Sequence, residues 1–290
     1  MKRVLALVLA VTLAVVCVGC GAPQATPTPA VVATPAPIPE ATPTSAEPAE
    51  LVVFAAASMT EAMKEIAILY KTIAPHVDIV YNFESSGTLK TQIEQGADCD
   101  IFISAGQKQM NELDIAADAA VNTAALDFVL AGSRFNIVSN TVVMIAPEGS
   151  GTDITSFEDV MGDKVSLLAL GNADVPVGQY AAEIYTNLGL WDDLQSSGKV
   201  SYGSNVKEVL TQVAAASVDC GVVYSTDAAT ATGVTVVATA PEGSHMPIAY
   251  PAAILNTTAQ QAEAEAFIAF LQSDVCSAVF EGIGFSIPAR

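Results

Sequence analysis

Two hydroxyl-rich turns in this sequence have the chemistry to bind an anion together. Ser58 and Ser86 each follow an apolar run, 51–54 and 77–83, and each precedes residues with helical spacing. The first turn of a helix carries backbone N–H groups that have no partner within the helix, and the helix dipole adds partial positive charge there. Two such turns side by side favour a negatively charged ligand. The alternative is two ordinary capped helices, with Glu61 completing a capping box at Ser58.

Two later residues also lie at turns or strand ends. Val177 follows Pro176, which has no N–H of its own and favours a helix start, and a helix is predicted over 179–188. Tyr224 ends the apolar strand predicted over 219–224. This tyrosine either donates its phenol to a ligand or closes the end of a buried strand.

The elements that must position these residues alternate between strands and helices. From residue 51 the pattern predicts strand, helix, strand, helix and strand, and it restarts after a strong strand over 141–146. Such alternation specifies an α/β protein with mostly parallel sheets, in which ligands bind at the carboxyl ends of the strands. We predict two lobes with a cleft between them, the chain crossing near Ser139 and returning near Tyr250.

The front of the chain has the features of a secretory signal. Residues 1–20 contain two basic residues, a short apolar run and then Cys20. This ending resembles a bacterial lipobox, which implies cleavage before Cys20 and lipidation of its thiol; ordinary signal cleavage is the alternative. Residues 21–50 are rich in Ala, Pro and Thr and hold eight of the 15 prolines. They predict a disordered spacer.

Composition excludes several classes of function. A formal charge of −20 argues against binding to nucleic acid or to anionic lipid. Cys99, Cys220 and Cys276 allow one disulfide and one free thiol, with no pairing preferred. Because the chain has only two histidines, and its one Cys-x-x-Cys motif, Cys17 to Cys20, lies within the predicted signal, we predict no metal site.

Longer segments resemble the molybdate-binding proteins of bacterial ABC importers, which have a type II periplasmic binding protein fold. The resemblance covers about residues 51 to 287 and rests on FAAASMTEAM, NFESSGTLKTQIEQGADCDIFISA, VPVGQYA, GVVYSTDA and PEGSH followed by YP. It implies one lobe from 51–138 with 251–290 and a second from 139–250. Each lobe would be a mostly parallel sheet flanked by helices.

The resemblance also implies a ligand, molybdate or tungstate, and no cofactor. Five residues would bind it: Ser58, Ser86, Val177, Val206 and Tyr224. The serines would act through hydroxyl and backbone N–H groups, the valines through backbone N–H groups, and the tyrosine through its phenol. The protein would be a monomer outside the cytoplasm, anchored to the cell membrane through lipid at Cys20, and would deliver its ligand to an ABC permease.

Three alternatives remain open at this point. The same fold would suit another tetrahedral oxyanion, such as sulfate or phosphate. A hydrolase with Ser58 or Ser86 as nucleophile would need a histidine base, and His76 and His245 lie in no recognisable arrangement with either serine. A cell-surface adhesin would need no hydroxyl-rich turns facing a cleft.

Overall fold

The computed structural model describes residues 47–288. The predicted signal over 1–20, its Cys20 and the spacer up to residue 46 lie outside the described residues. Within residues 47–288 the strands are β1 (Ala49–Ala56), β2 (Val77–Glu84), β3 (Ile101–Ile103), β4 (Phe135–Ser139), β5 (Val142–Pro147), β6 (Leu168–Gly171), β7 (Val200–Gly203), β8 (Cys220–Tyr224), β9 (Val234–Thr239) and β10 (Ala249–Ile254). The helices are α1 (Thr60–Ile73), α2 (Ser86–Glu94), α3 (Gln107–Leu113), α4 (Pro176–Asn187), α5 (Trp191–Ser196), α6 (Val206–Ala214), α7 (Ser225–Thr230), α8 (Gln261–Leu271) and α9 (Asp274–Ile283), with 3₁₀ turns at Ala57–Met59 and Phe157–Met161.

The strands form two sheets of five, in the orders β2-β1-β3-β10-β4 and β7-β6-β8-β5-β9. In each sheet four strands run in one direction, and only β10 or β5 runs against its neighbours. Central strands such as β3 and β8 are buried along their whole length, as strands covered on both faces should be. The predicted α/β class with two mostly parallel sheets is confirmed.

The chain leaves the first sheet after Ser139 and returns to it at Ala249. Helices α1, α2, α3 and α8 pack on the first sheet, and α4, α6 and α7 pack on the second. We call these two assemblies the first and the second lobe. Helix α9 packs against α1 and α7, and so contacts both. The lobe ranges predicted from the sequence stay a prediction, although β1 already begins at Ala49, inside the range predicted as spacer.

Elements with no counterpart in the sequence prediction include β4, α5, β7, α7 and α9. All of these except α9 are only four to six residues long. The segment 114–130 contains turns and an isolated bridge at Val129 but no helix. The side chain of Asn122 stabilises a turn in this segment, because it donates to Leu126 O at 2.7 Å and accepts from Leu126 N at 2.9 Å. Such side-chain bonds to the backbone compete with helix formation.

All three cysteines of the described chain are buried free thiols, so the disulfide that the sequence allowed does not form. Among residues 47–288 no group of three or more His, Cys, Asp or Glu side chains is arranged to hold a metal ion. Over the same residues no single helix is long and apolar enough to cross a membrane, and only the bent pair α8–α9 passes by length and composition.

Candidate functional site

The structure brings the five predicted site residues together around one small cavity. Only about 10 Å³ of it is accessible to the centre of a water-sized sphere, so the cavity is nearly closed in this structure, and residues of both lobes line it. Each of the five is at least 95% buried, and they are Ser58, Ser86, Val177, Val206 and Tyr224. Larger depressions exist on the surface, for example beside Trp191 and Tyr202. Only at the small cavity, among residues 47–288, do the starts of α2, α4 and α6 converge.

Ser58 lies in the 3₁₀ turn between β1 and α1, and the predicted capping box is wrong. Helix α1 begins at Thr60, its N-cap is Met59, and no side chain caps it. The Ser58 hydroxyl lies instead 3.1 Å from the phenol oxygen of Tyr250 on β10. This tertiary bond replaces the local one, and it leaves Ser58 at the cavity wall.

Ser86 is the first residue of α2, whose N-cap is the preceding Ser85. The Ser85 hydroxyl accepts from Thr88 N at 3.1 Å, which frees Ser86 from a capping role. The Ser86 hydroxyl oxygen accepts from Ala105 N at 2.9 Å. Because that oxygen already accepts a hydrogen bond, the hydroxyl hydrogen of Ser86 is available to a group in the cavity.

The second lobe contributes two helix starts. Pro176 is the first residue of α4 and Val177 the second, while Val206 is the first residue of α6, capped by Asn205 through Glu208 N at 3.0 Å. Within residues 47–288 the backbone N–H groups of Ser86, Val177 and Val206 have no hydrogen-bond partner. Three unpaired N–H groups at three helix starts give the cavity wall a partial positive charge without any cationic side chain.

Tyr224 closes the cavity at the end of β8. Its phenol donates across the lobes to Ala105 O at 3.2 Å. Burial raises the pKa of Tyr224 well above its usual value, so the phenol keeps its proton. A ligand that takes the Tyr224 hydrogen must therefore replace the bond to Ala105.

Charged residues near the cavity also join the lobes. Glu84, the only carboxylate in the described cavity wall, accepts from Asn205 Nδ2 at 3.1 Å. No Lys or Arg lies among the lining residues of the described chain. Glu84 therefore bonds to the residue that caps α6.

An ion-pair cluster with one buried carboxylate lies next to Val206. Lys207 contacts Glu61 of the first lobe at 2.8 Å and Asp227 at 3.1 Å. Burial raises the pKa of the Asp227 carboxyl to about 6 against the pull of Lys207. Burial alone would lower the pKa of Lys207, but the two carboxylates outweigh this and raise it. Asp227 is therefore a buried carboxylate, whereas Glu61 is 45% exposed and pairs with Lys207.

Sequence reasoning missed Lys207, Asp227 and Tyr250 as parts of the site's surroundings. Asp227 is 1% exposed and Tyr250 is fully buried. No local signal marks them, because the contacts that define their roles join residues far apart in the chain. Sequence reasoning also missed a contact of Gly87, the residue directly after Ser86, whose N–H donates to Asp174 O of the second lobe at 2.9 Å.

Most of this chain is similar to known bacterial solute-binding proteins. A family model described as bacterial extracellular solute-binding protein matches residues 51–286. The molybdate-binding protein ModA of Haemophilus influenzae is 38% identical over 245 residues, covering 83% of this chain and 91% of that protein. The putative ABC transporter substrate-binding lipoprotein YvgL of Bacillus subtilis is 36% identical over 237 residues, covering 81% and 86%.

A solved structure is similar over the same region. It is the substrate-binding domain of a putative molybdenum ABC transporter from Clostridium difficile, with 36% identity and a TM-score of 0.61. The match covers 83% of this chain and all of that one.

Proposed function

This chain belongs to the bacterial extracellular solute-binding protein family, and we propose that it binds molybdate for an ABC importer. The observation that carries the proposal is the convergence of two serine hydroxyls and three helix starts, from both lobes, on one small cavity. The names of the relatives that match most of this chain support molybdate as the ligand.

The donor set favours a fully deprotonated dianion. Such an anion only accepts hydrogen bonds. The N–H groups of Ser86, Val177 and Val206 only donate, and the Ser86 hydroxyl has its hydrogen available while its oxygen accepts from Ala105 N. The charge of the anion is compensated by charge-assisted hydrogen bonds and helix dipoles, without a Lys or Arg in the described wall. Ser58 and Tyr224 complete the proposed binding set.

Donors from both lobes imply that affinity depends on closure. Ser58 and Ser86 come from the first lobe, while Val177, Val206 and Tyr224 come from the second. A form with separated lobes would present only part of the set and bind weakly. Tungstate, with the same shape and charge, would bind at the same site. The protein would act as a monomer, tethered by lipid at Cys20, and would release the anion to a membrane permease.

A second tetrahedral oxyanion has one observation in its favour. Glu84 lines the cavity, and a carboxylate accepts a hydrogen bond from an anion that still carries a proton, such as hydrogen phosphate. Its Oε2 already accepts from Asn205, which reduces that capacity. A hydrolase is not supported, because His245 Nδ1 lies 2.7 Å from Met246 O and not beside either serine.

A thermal-shift panel tests the proposal. A ligand that binds only the folded state raises the melting temperature by mass action. Residues 46–290, which form one compact unit, should be stabilised by molybdate and tungstate at concentrations at which sulfate and phosphate have little effect. A larger shift with phosphate would reassign the ligand to a protonated oxyanion. Hydrolytic turnover that is lost with Ser86→Ala would replace the transport proposal with an enzyme.

A further inference from the structure

The amide of Asn140, on the connection between β4 and β5, has an orientation fixed by its neighbours. Its Oδ1 accepts from Thr141 N at 2.8 Å and from the hydroxyl of Ser225 at 3.0 Å. Since a backbone N–H can only donate, the oxygen must be the atom that faces Thr141. The amide nitrogen then donates its two hydrogens, to Thr226 Oγ1 at 2.9 Å and to the phenol oxygen of Tyr250 at 3.2 Å.

The fixed amide determines which way the next hydroxyl points. Tyr250 is fully buried, and burial raises the pKa of its phenol well above the usual value, so it keeps its hydrogen. Its oxygen accepts from Asn140 and lies 3.1 Å from the hydroxyl of Ser58. The neighbouring phenol of Tyr224 is a donor on this side, because its interaction with Tyr250 raises the pKa of Tyr224 and its hydrogen also reaches Ala105 O. If Ser58 donated to Tyr250, the phenol hydrogen would be left buried without an acceptor, which is costly. Tyr250 therefore donates to Ser58.

We propose that Asn140 and Tyr250 are positioning residues that make Ser58 a hydrogen-bond donor toward the cavity. In this series of hydrogen bonds, Asn140 donates to Tyr250, and Tyr250 donates to Ser58. The last hydrogen, on Ser58, is left for the ligand. This inference rests on the proposed function, and it adds a specificity role: a site that presents a hydrogen at Ser58 disfavours an anion that must donate one there.

Two variants change the direction of the hydrogen bonds among Asn140, Tyr250 and Ser58. Asn140→Asp replaces the donating NH₂ with an oxygen that only accepts, so Tyr250 should donate to it and Ser58 should donate to Tyr250. The lone pairs of Ser58 would then face the cavity. Tyr250→Phe removes the middle member and leaves the Ser58 hydroxyl free to rotate. Tyr185→Phe is the matched control, because Tyr185 is a fully buried tyrosine whose hydroxyl has no hydrogen-bond partner in the described chain.

The experiment is calorimetric titration of residues 46–290 with molybdate at pH 8, repeated with sulfate or phosphate as competitor. Sulfate and hydrogen phosphate are similar in size and differ by one proton, so their ratio reports the direction of the Ser58 hydroxyl. We expect both variants to bind molybdate about tenfold more weakly, the size of one charge-assisted hydrogen bond at the low end of its range. We also expect the preference for sulfate over phosphate to fall about fivefold or more in Asn140→Asp, with no change in Tyr185→Phe.

The outcomes separate this inference from the proposed function. If the wild type binds molybdate and the sulfate-to-phosphate preference is the same in Asn140→Asp, Tyr250→Phe and Tyr185→Phe, the positioning role is wrong and the proposed function stands. If affinity falls in Tyr250→Phe but the preference does not move in either variant, Tyr250 is only structural and the inference is overturned. If the wild type binds none of the anions, the proposed function fails and the inference fails with it.

Discussion

The backbone N–H of Gly87 in the first lobe donates to the carbonyl oxygen of Asp174 in the second lobe at 2.9 Å. The bond lies beside the cavity, since Gly87 follows Ser86 and Asp174 shortly precedes Val177. A Cβ placed on Gly87 would be 2.4 Å from that carbonyl oxygen, closer than real Cβ atoms come. The two lobes can therefore meet here only because residue 87 has no side chain.

Gly87→Ala should hold the lobes apart at the edge of the cavity. We expect molybdate affinity to fall about 5- to 150-fold, because overpacking a close contact costs about 1–3 kcal/mol. Melting without ligand should change little, since neither lobe needs the contact to fold. Gly282→Ala in α9 is the control, because a Cβ there meets nothing within 4 Å. Equal affinity in the two variants would show that the contact does not limit closure.

Ser86→Ala removes a hydroxyl that donates to a charged ligand. Affinity for molybdate should fall by about 1.5–3 kcal/mol, or roughly 10- to 150-fold. Val177→Ala keeps its backbone N–H and should bind within about twofold of the wild type, as expected for a residue that acts through its main chain. Titration calorimetry on both variants checks the pair. Wild-type affinity in Ser86→Ala would remove that serine from the binding set.

Glu61→Gln breaks the contact between Lys207 and the first lobe without changing side-chain shape. The pair is partly exposed, so the expected loss of molybdate affinity is up to about fivefold. The difference from wild type should shrink in high salt, because salt screens exposed charges. Glu65→Gln on the same helix is the control, as Glu65 makes no ion pair within residues 47–288. A loss of molybdate affinity that does not depend on salt would contradict an electrostatic role for the Lys207–Glu61 pair.

Asp227 makes the stability of the fold depend on pH. Its folded pKa of about 6 is above the ordinary value of 3.8, so the folded state binds the proton more tightly than the unfolded state. This group therefore adds stability as the pH falls through 6, reaching about 3 kcal/mol below the unfolded pKa, and loses it as the pH rises.

Urea unfolding of the wild type and Asp227→Asn from about pH 7 to pH 4 measures this contribution. The wild type should gain stability relative to the variant as the pH falls. Asp163→Asn, at an exposed turn, should show no such trend. A wild type that loses stability relative to Asp227→Asn over that range would mean that the folded state favours the charged carboxylate.

The parts of the site that carried local signals could be predicted from sequence. Ser86 and Val177 lie at helix starts because Ser85 caps one helix and Pro176 begins the other, and both signals are adjacent in the chain. Ser58 was misread as a cap because its actual partner, Tyr250, is 192 residues away.

The remaining site features depend on tertiary contacts. The STDAAT segment gave no indication that Asp227 is buried against Lys207, because burial comes from the packing of α7 on its sheet. Likewise, only the approach of the lobes gives Tyr224 its bond to Ala105 O. Local signals therefore located the helix starts at Ser86 and Val177, whereas the contacts around them required the structure.

The central claim is that this donor set binds a deprotonated tetrahedral dianion. Calorimetric titration of residues 46–290 with molybdate, tungstate, sulfate and phosphate at one pH tests it most directly. We predict one-to-one binding of molybdate and tungstate that is much tighter than binding of sulfate or phosphate. Binding of phosphate as tightly as molybdate, or no binding of any of the four anions, would contradict the account.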